Sequence, residues 1–260
     1  MFSYVETMGL LAGVKLAKQS MPHRHNPAGW ERDGLAGEFG TLRPHLALVD
    51  DDPAEAAAIG HRVLTAMGLV DGFAPLVMLC GHGSHSENNP HAAGLECGAC
   101  GGQTGEVNAR VLAALLNNAA VRHDLASLGV HVPDGTWFLP ALHDTTTDTV
   151  ELFDTDLAPS SHRGRIEQLS TLLATTGQRA RAERAGALGL SAIADDPMQL
   201  EQRVFERAND WSQVRPEWGL AGNAAFVIAP RWRTRHLDLG GRCFLHDYGT
   251  GPYDQTSSGK

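Results

Sequence analysis

The chain has 260 residues, a formal net charge of −9 at pH 7 and four cysteines. A sequence pI near 5.8 disfavours nucleic-acid binding, because phosphate contacts require clusters of Lys and Arg. The length is enough for one α/β region over residues 1–260 with a sizeable core. Four cysteines without regular pairing are typical of a reducing compartment. No stretch approaches the roughly 20 apolar residues that a spanning helix needs, so we expect membrane association to come through a partner.

Local signals predict two helices and a loop in the first part of the chain. A capping box that begins at Ser3 predicts a helix to about Lys18. Residues 21–51 are rich in Pro, Gly and His and predict a long irregular loop. Asp52 followed by Pro53 predicts a helix N-cap with proline at the first helical position. The predicted buried face of this helix consists of Ile59, Val63, Leu64 and Met67.

An apolar run of strand length follows from Leu76 to Cys80. Such a run is typical of a strand that is buried on both faces in a parallel sheet. After a glycine-rich segment, a helical pattern carries an apolar stripe made of Val107, Val111, Leu112, Leu115 and Leu116. Helical patterns on both sides of the strand predict an α/β fold with a mostly parallel, doubly wound sheet flanked by helices.

The second half of the chain predicts shorter strands and two further helices. The predicted strands are residues 136–142, 149–153, 225–229 and 242–246, and the predicted helices are residues 161–186 and 196–209. The second helix begins with another Asp-Pro pair, at Asp196. We interpret Arg179, Arg181 and Arg184 as a solvated basic face. Residues 249–260 contain little to bury, and we expect a disordered tail.

The most informative segment follows the predicted strand at Leu76. His82 lies between Gly81 and Gly83, where the missing Cβ atoms let the backbone turn sharply and a ligand approach closely. Open α/β sheets place their sites at the carboxyl ends of strands. Fourteen residues separate His82 from Cys97, which is enough for a loop to double back. An imidazole and thiols in one loop predict a metal site.

Other interpretations of this segment stay open at the level of residue types. A histidine after a strand is commonly a hydrogen-bonded structural residue. The spacing of Cys97 and Cys100 also fits a dithiol redox pair, although such pairs usually begin at a helix N-terminus. His85 and His91 lie nearby and could add donors to a metal site. Cys80 lies in the apolar run, and we expect it to belong to the core.

Two further polar groups invite a functional interpretation. His143, Asp144 and Asp148 surround three threonines just past a predicted strand, where acid-base groups could lie. We favour a turn, because Asp and Thr in turns usually satisfy backbone donors. The segment from Arg215 to Trp218 holds an arginine and a glutamate beside an aromatic ring, and we interpret it as an internal ion pair.

Three long strings in the sequence resemble a known family. They are GHGSHSENNPHAAGLECGACGGQTGEVNAR from residue 81, HDTTTD from residue 143 and RPEWGLAGNAAFVIAPR from residue 215. With them the chain resembles the DabA family, the β-carbonic-anhydrase-like subunit of an inorganic carbon uptake system. The resemblance runs nearly end to end, from FSYVETMGLLAG at the start to GGRCFLHDYG near the finish.

The resemblance implies a zinc protein that is peripheral at the cytoplasmic face of the inner membrane. It implies conversion of CO2 to bicarbonate together with an antiporter-like, DabB-like membrane subunit. In that family two Cys, one His and one Asp hold Zn2+. His82 matches the family's histidine in the GHG motif, and Cys97 matches the second cysteine, whereas Cys100 has no ligand role in the family pattern.

The chain departs from the family pattern in one respect. The family's first cysteine and its Asp lie in a Cys-x-Asp-x-Arg motif, and no cysteine of this chain is followed by x-Asp-x-Arg. The chain therefore resembles the later portion of a longer protein, with an incomplete β-carbonic-anhydrase-like core and two of four zinc ligands. We expect it to be inactive in CO2 hydration by itself. The alternative is a non-catalytic, zinc-stabilised or partner-binding module.

Overall fold

The computed structural model describes residues 46–84, 104–210, 224–240 and 242–247. The helices of this part are α1 (Ala47–Asp51), α2 (Pro53–Ala66), α3 (Glu106–Asn117), α4 (Ala119–Ser127), α5 (Arg163–Arg184) and α6 (Pro197–Asn209). The strands are β1 (Leu76–Gly83), β2 (Trp137–Asp144), β3 (Thr149–Leu152), β4 (Ala225–Ala229) and β5 (Cys243–Asp247). The predicted first helix and the predicted tail lie outside the described residues.

Side-chain caps fix the starts of two helices where the sequence predicted them. Asp52 accepts a hydrogen bond of 3.0 Å from the backbone amide of Glu55 at the start of α2. Asp196 accepts one of 3.0 Å from the amide of Gln199 at the start of α6. Both Asp-Pro predictions are therefore confirmed. The last residues of the predicted loop 21–51 form the short helix α1 instead, and the loop up to residue 45 lies outside the description.

The sheet is built around a parallel pair. β1 and β2 are parallel, in a register that runs from Leu76 opposite Trp137 to Gly83 opposite Asp144. β3 pairs with β2 in the antiparallel direction, so the strand order is β1-β2-β3. β4 and β5 form a second, two-stranded parallel sheet. The predicted parallel pairing across an intervening helical segment is confirmed for β1 and β2. The described sheet is mixed, and the doubly wound architecture stays a prediction.

The main core lies where α2, α3 and α4 pack against one face of β1 and β2. Leu79 and Phe138 project into it from the two strands and meet Leu64, Leu116 and Leu125 of the helices. The ring of Phe73 meets that of Phe138 edge-on, with 6.0 Å between their centroids. This cluster anchors β1 and thereby fixes the position of its carboxyl end.

Two residues of the predicted apolar stripes are exposed instead of buried. They are Met67, just past the end of α2, and Val107, in the first turn of α3. The helices bury small residues in their place, including Ala57 and Ala113. Periodicity identifies the face of a helix that packs, but it does not show how far along the helix the neighbouring layer extends.

A smaller cluster joins the end of α5 to α6. Ala185, Leu200 and Val204 are buried in it, with Leu190 and Ile193 packed against them. This contact holds α5 beside the segment that follows it in the chain. Among the residues that the structure describes, no helix combines the length and apolarity needed to cross a bilayer.

Candidate functional site

β1 carries His82 to the carboxyl edge of the parallel pair. The strand continues through Gly83, beyond the predicted apolar run. Side chains alternate between the faces of a strand, so Cys80 and His82 share the face opposite Leu79. Both residues are exposed. The prediction that Cys80 belongs to the core is therefore wrong, because the described helices cover β1 on the Leu79 face only.

Two glycines bring the start of α3 against the end of β1. The backbone amide of Gly105 donates a hydrogen bond of 2.8 Å to the carbonyl oxygen of His82. A Cβ atom on Gly81 would lie 2.5 Å from the carbonyl oxygen of Gly105, closer than any side chain allows. The absence of a side chain at Gly81 therefore permits this contact. As a result, both ends of the segment between Ser84 and Thr104 lie beside His82.

The remaining residues of the predicted metal site lie within that segment. Cys97, Cys100, His85 and His91 are all outside the described residues, so the convergence of Cys97 with His82 stays a prediction. Among the described residues, no group of three or more His, Cys, Asp or Glu side chains is arranged to hold a metal ion. His82 would therefore need donors from beyond the described part of the chain.

The Cys80 thiol lies on the same face as His82 and is held by the backbone. It donates a hydrogen bond of 3.3 Å to the carbonyl oxygen of Gly81. Although the residue as a whole is exposed, partial burial of the sulfur raises the pKa of the Cys80 thiol, and a hydrogen bond with the backbone of His143 opposes that change. The thiol is therefore protonated at neutral pH, whereas a zinc ligand must be a thiolate.

His143 on β2 is the register partner of His82 on β1. Register partners on neighbouring strands share a face, so the two histidines project from the same side of the same sheet edge. The Nε2 atom of His143 lies 3.3 Å from Oδ1 of Asp148. The side chain of His143 is 40% exposed, whereas that of Asp148 is 9% exposed. A buried carboxylate therefore holds a half-exposed imidazole at this edge.

The turn from Asp144 to Asp148 is held by hydrogen bonds within the turn and to the end of β1. Oδ1 of Asp144 accepts hydrogen bonds from the backbone amides of Thr146 and Thr147, at 2.9 and 3.4 Å. Thr145 donates from its amide and its hydroxyl to the carbonyl oxygen of Gly83, at 2.8 and 3.1 Å. The prediction that Asp and Thr satisfy backbone donors in this turn is confirmed for Asp144. It does not account for Asp148, whose carboxylate contacts the side chains of His143 and Arg184.

Two arginines of α5 bind this turn from outside. Arg181 is 4% exposed and donates to the carbonyl oxygen of Thr147 at 3.0 Å. Arg184 forms an ion pair with the carboxylate of Asp148. The predicted solvated basic face is therefore wrong for these two arginines, and only Arg179 is exposed. Arg181 is buried and Arg184 is partly buried, because the planar guanidinium satisfies carbonyl oxygens of a turn that the helix covers.

Close packing of α5 fixes the conformation of Asp148. This residue has a φ of 56°, in the left-handed region that Asp tolerates better than most residues. A Cβ atom on Gly177 would overlap the carbonyl oxygen of Asp148. Gly177, Arg181 and Arg184 follow an i, i+4, i+7 spacing, which places them on one face of α5. That spacing marks in the sequence the face of α5 that packs, but it does not identify the turn as the partner of that face.

A second ion cluster ties α3 to the end of β3. Arg110 donates two hydrogen bonds to Asp154, at 2.9 and 2.8 Å, and one to Glu106 at 3.0 Å. Its guanidinium lies 5.5 Å from the ring centroid of Phe153. The hydrogen bonds to Asp154 raise the pKa of Arg110, against the opposing effect of burial. No local pattern predicts this pair, because 44 residues separate its members.

The segment from Arg215 to Trp218 lies outside the described residues, so its predicted ion pair stays a prediction.

The described part of the chain defines an α/β protein with paired histidines at one sheet edge. Residues 1–257 match the family described as "Probable inorganic carbon transporter subunit DabA". The chain therefore belongs to the DabA family, as its motifs predicted.

Individual relatives agree with the family match. The chain is 50% identical over 256 residues to "Probable inorganic carbon transporter subunit DabA 1" of Bradyrhizobium sp. (strain ORS 278). It is 52% identical over 248 residues to the subunit DabA of Paracidovorax citrulli. It is 46% identical over 258 residues to the subunit DabA2 of Halothiobacillus neapolitanus. Each alignment covers 95% of this chain but only 30% of the relative. No solved structure matches the chain.

Proposed function

We propose that this chain is part of a zinc-dependent, β-carbonic-anhydrase-like subunit that takes up inorganic carbon, and that it supplies His82 and Cys97 to the zinc site. The family match and the printed names of the relatives support the role in inorganic carbon transport. The observation that carries the zinc assignment is the hydrogen bond between Gly105 and His82, because it brings both ends of the Cys97 segment to the histidine.

The described residues fit one donor of such a site. Zn2+ takes imidazole nitrogen and thiolate sulfur in tetrahedral geometry, and His82 presents an exposed imidazole at a strand end. Cys97 precedes Gly105 by eight residues, a length that spans at most about 29 Å when fully extended. The resemblance assigns the other two donors, a Cys and an Asp, to sequence that this chain does not contain. A longer polypeptide or a second chain would supply them.

The chain's own residues then have defined roles. His82 would hold the metal from the sheet edge, and the missing side chain at Gly81 admits the backbone of Gly105 against the opposite face of the strand. Bound zinc would supply a water whose pKa falls to about 7, which makes hydroxide available for CO2 at neutral pH. Two donors alone hold zinc weakly. We therefore expect the 260-residue chain to bind zinc substoichiometrically and to hydrate no CO2 above background.

Substitutions in the full-length protein test the ligand assignment. His82→Ala and Cys97→Ser should each abolish bound zinc, measured by elemental analysis, and CO2 hydration, measured by oxygen-isotope exchange. His85→Ala and Cys100→Ser are matched controls in the same segment and should retain both. Full zinc occupancy in the His82 variant would show that the assignment is wrong. Full occupancy in the wild type without any CO2 hydration would favour the alternative, a zinc-stabilised or partner-binding module.

Directional uptake also needs a partner in the membrane. Uptake becomes directional only if the carbon chemistry is coupled to an ion gradient across the bilayer, and the antiporter-like membrane subunit that the resemblance implies would supply that coupling. We therefore expect the full-length protein to bind an antiporter-like, DabB-like membrane subunit at the cytoplasmic face. Co-purification in mild detergent tests this association. If the protein stays in the soluble fraction while the membrane subunit is present, and uptake continues, the coupled-transport proposal fails.

A further inference from the structure

His143 is a second imidazole at the edge that carries His82. The two residues are register partners on parallel strands, and neighbouring strands lie about 4.8 Å apart. They share a face of the sheet, so a small molecule beside one lies within reach of the other. His143 itself is half-exposed, which leaves part of its ring accessible from solvent.

The protein holds this ring in one orientation through a chain of contacts. His143 Nε2 meets the Asp148 carboxylate at 3.3 Å, and the same carboxylate pairs with Arg184. An ionised carboxylate can only accept hydrogen bonds, so Nε2 carries the hydrogen in this contact. The neutral ring then presents Nδ1 as a hydrogen-bond acceptor. The contact thus orients the imidazole and favours the tautomer with the hydrogen on Nε2.

The Asp148 carboxylate is not the group that accepts from the backbone amides of Thr146 and Thr147 in this turn. Asp144 already satisfies the backbone amides of Thr146 and Thr147. Asp148 nevertheless adopts a left-handed conformation, and Arg184 and Gly177 of α5 pack directly against it. Backbone strain of this kind in a non-glycine residue persists where the surroundings impose it, and it clusters at functional sites.

We propose that Nδ1 of His143 accepts a hydrogen bond from the hydroxyl of bicarbonate, or from the water that becomes that hydroxyl, beside His82. Asp148 and Arg184 are positioning residues that act through His143. The choice of inorganic carbon as ligand rests on the proposed function, whereas the placement and tautomer of His143 do not. CO2 has no hydroxyl, so this contact distinguishes the hydrated species from CO2.

The test uses the full-length protein with its membrane subunit. Three quantities are measured: zinc content, binding of 13C-labelled bicarbonate to the purified complex, and the dependence of cellular uptake on bicarbonate concentration. His143→Ala should keep full zinc content but raise the half-saturating bicarbonate concentration by about tenfold, the effect of one lost hydrogen bond. His123→Ala, at an exposed position on α4, is the matched control and should leave all three quantities unchanged.

Two further variants separate positioning from folding. Asp148→Asn tolerates the left-handed conformation but can donate to Nε2, which would move the ring hydrogen to Nδ1 and remove the acceptor. We expect it to weaken bicarbonate binding as much as His143→Ala does. His143→Asn places an amide oxygen near the position of Nδ1 and should restore part of the affinity. A merely structural role predicts lower thermal stability with unchanged half-saturation for both Asp148→Asn and His143→Ala.

Each result decides between the proposals. Loss of zinc on His143→Ala, unchanged half-saturation in that variant, or no bicarbonate binding by the wild type would overturn the role of His143. Retention of zinc and uptake by His82→Ala contradicts the proposed function alone. Suppose that His143→Ala weakens bicarbonate binding but that cells with the wild-type protein take up no bicarbonate. This result would support His143 as the ligand-binding residue and contradict the transport proposal.

Discussion

The backbone amide of Gly105 donates a 2.8 Å hydrogen bond to the carbonyl oxygen of His82. This bond joins Gly105, the residue before α3, to His82, the second-last residue of β1. It brings the two ends of residues 84–104 together at the backbone of His82. A loop closed at its base restricts where its members can lie, because closure removes most of its conformations. The candidate zinc site depends on this closure.

Gly81→Ala should disrupt the base of this loop. Its new Cβ would lie 2.5 Å from the carbonyl oxygen of Gly105, so the backbone of α3 must shift. We expect a destabilisation of about 1–3 kcal/mol, measured by urea unfolding of the 260-residue chain. In the full-length protein we also expect less bound zinc. The matched control is Gly83→Ala, whose Cβ meets its nearest atom at 3.4 Å. Equal effects of the two substitutions would contradict the closure argument.

Gly177→Ala should separate α5 from the turn at Asp148. The added Cβ overlaps the Asp148 carbonyl oxygen, and backbone cannot move aside as a flexible side chain can. The expected loss is about 1–3 kcal/mol in the free energy of unfolding. Gly164→Ala on the same helix meets nothing within 4 Å and should be neutral or stabilising by up to about 1 kcal/mol. If Gly177→Ala were as well tolerated, α5 would not contact the turn as described.

Arg110→Ala should be among the most destabilising single substitutions on α3. It leaves the carboxylate of Asp154 without its main partner at 12% exposure, and breaking a buried pair typically costs about 3–5 kcal/mol. Asp154→Gly removes the carboxylate and suits the φ of 52° at that position. We therefore expect the double variant to be more stable than Arg110→Ala alone. Thermal denaturation of the two single variants and the double variant measures the coupling. If the two single changes in stability add up to that of the double variant, the residues are not coupled.

Alkylation of Cys80 should require higher pH than alkylation of an ordinary thiol. Burial raises the pKa of the Cys80 thiol in the folded chain, and the thiolate is the reactive species. Because the folded state holds this proton more tightly, the associated stability is present at neutral pH and is lost as pH rises through the folded pKa. Iodoacetamide rates followed by peptide mass spectrometry should show a higher midpoint for the native chain than for the chain in urea. Coincident midpoints would contradict the burial effect.

Local sequence determined the elements of this fold. The Asp-Pro pairs at Asp52 and Asp196 fixed two helix starts, because an N-cap needs only a side chain and an amide three residues away. The apolar run at Leu76 fixed β1, and the strand at Ala225–Ala229 lies where it was predicted. The long strings around His82 and His143 were sufficient to identify the family, and the comparisons confirmed it.

Only the tertiary structure decided which polar residues act together. Arg184 lies 36 residues from Asp148 and Arg110 lies 44 residues from Asp154, so neither pair leaves a periodic signal. The exposure of Cys80 and Met67 likewise depends on where neighbouring layers end. The pairing of His82 with His143 follows from the register of two strands 61 residues apart. Periodicity describes one element at a time, whereas burial, ion pairing and the orientation of an imidazole depend on the element packed against it.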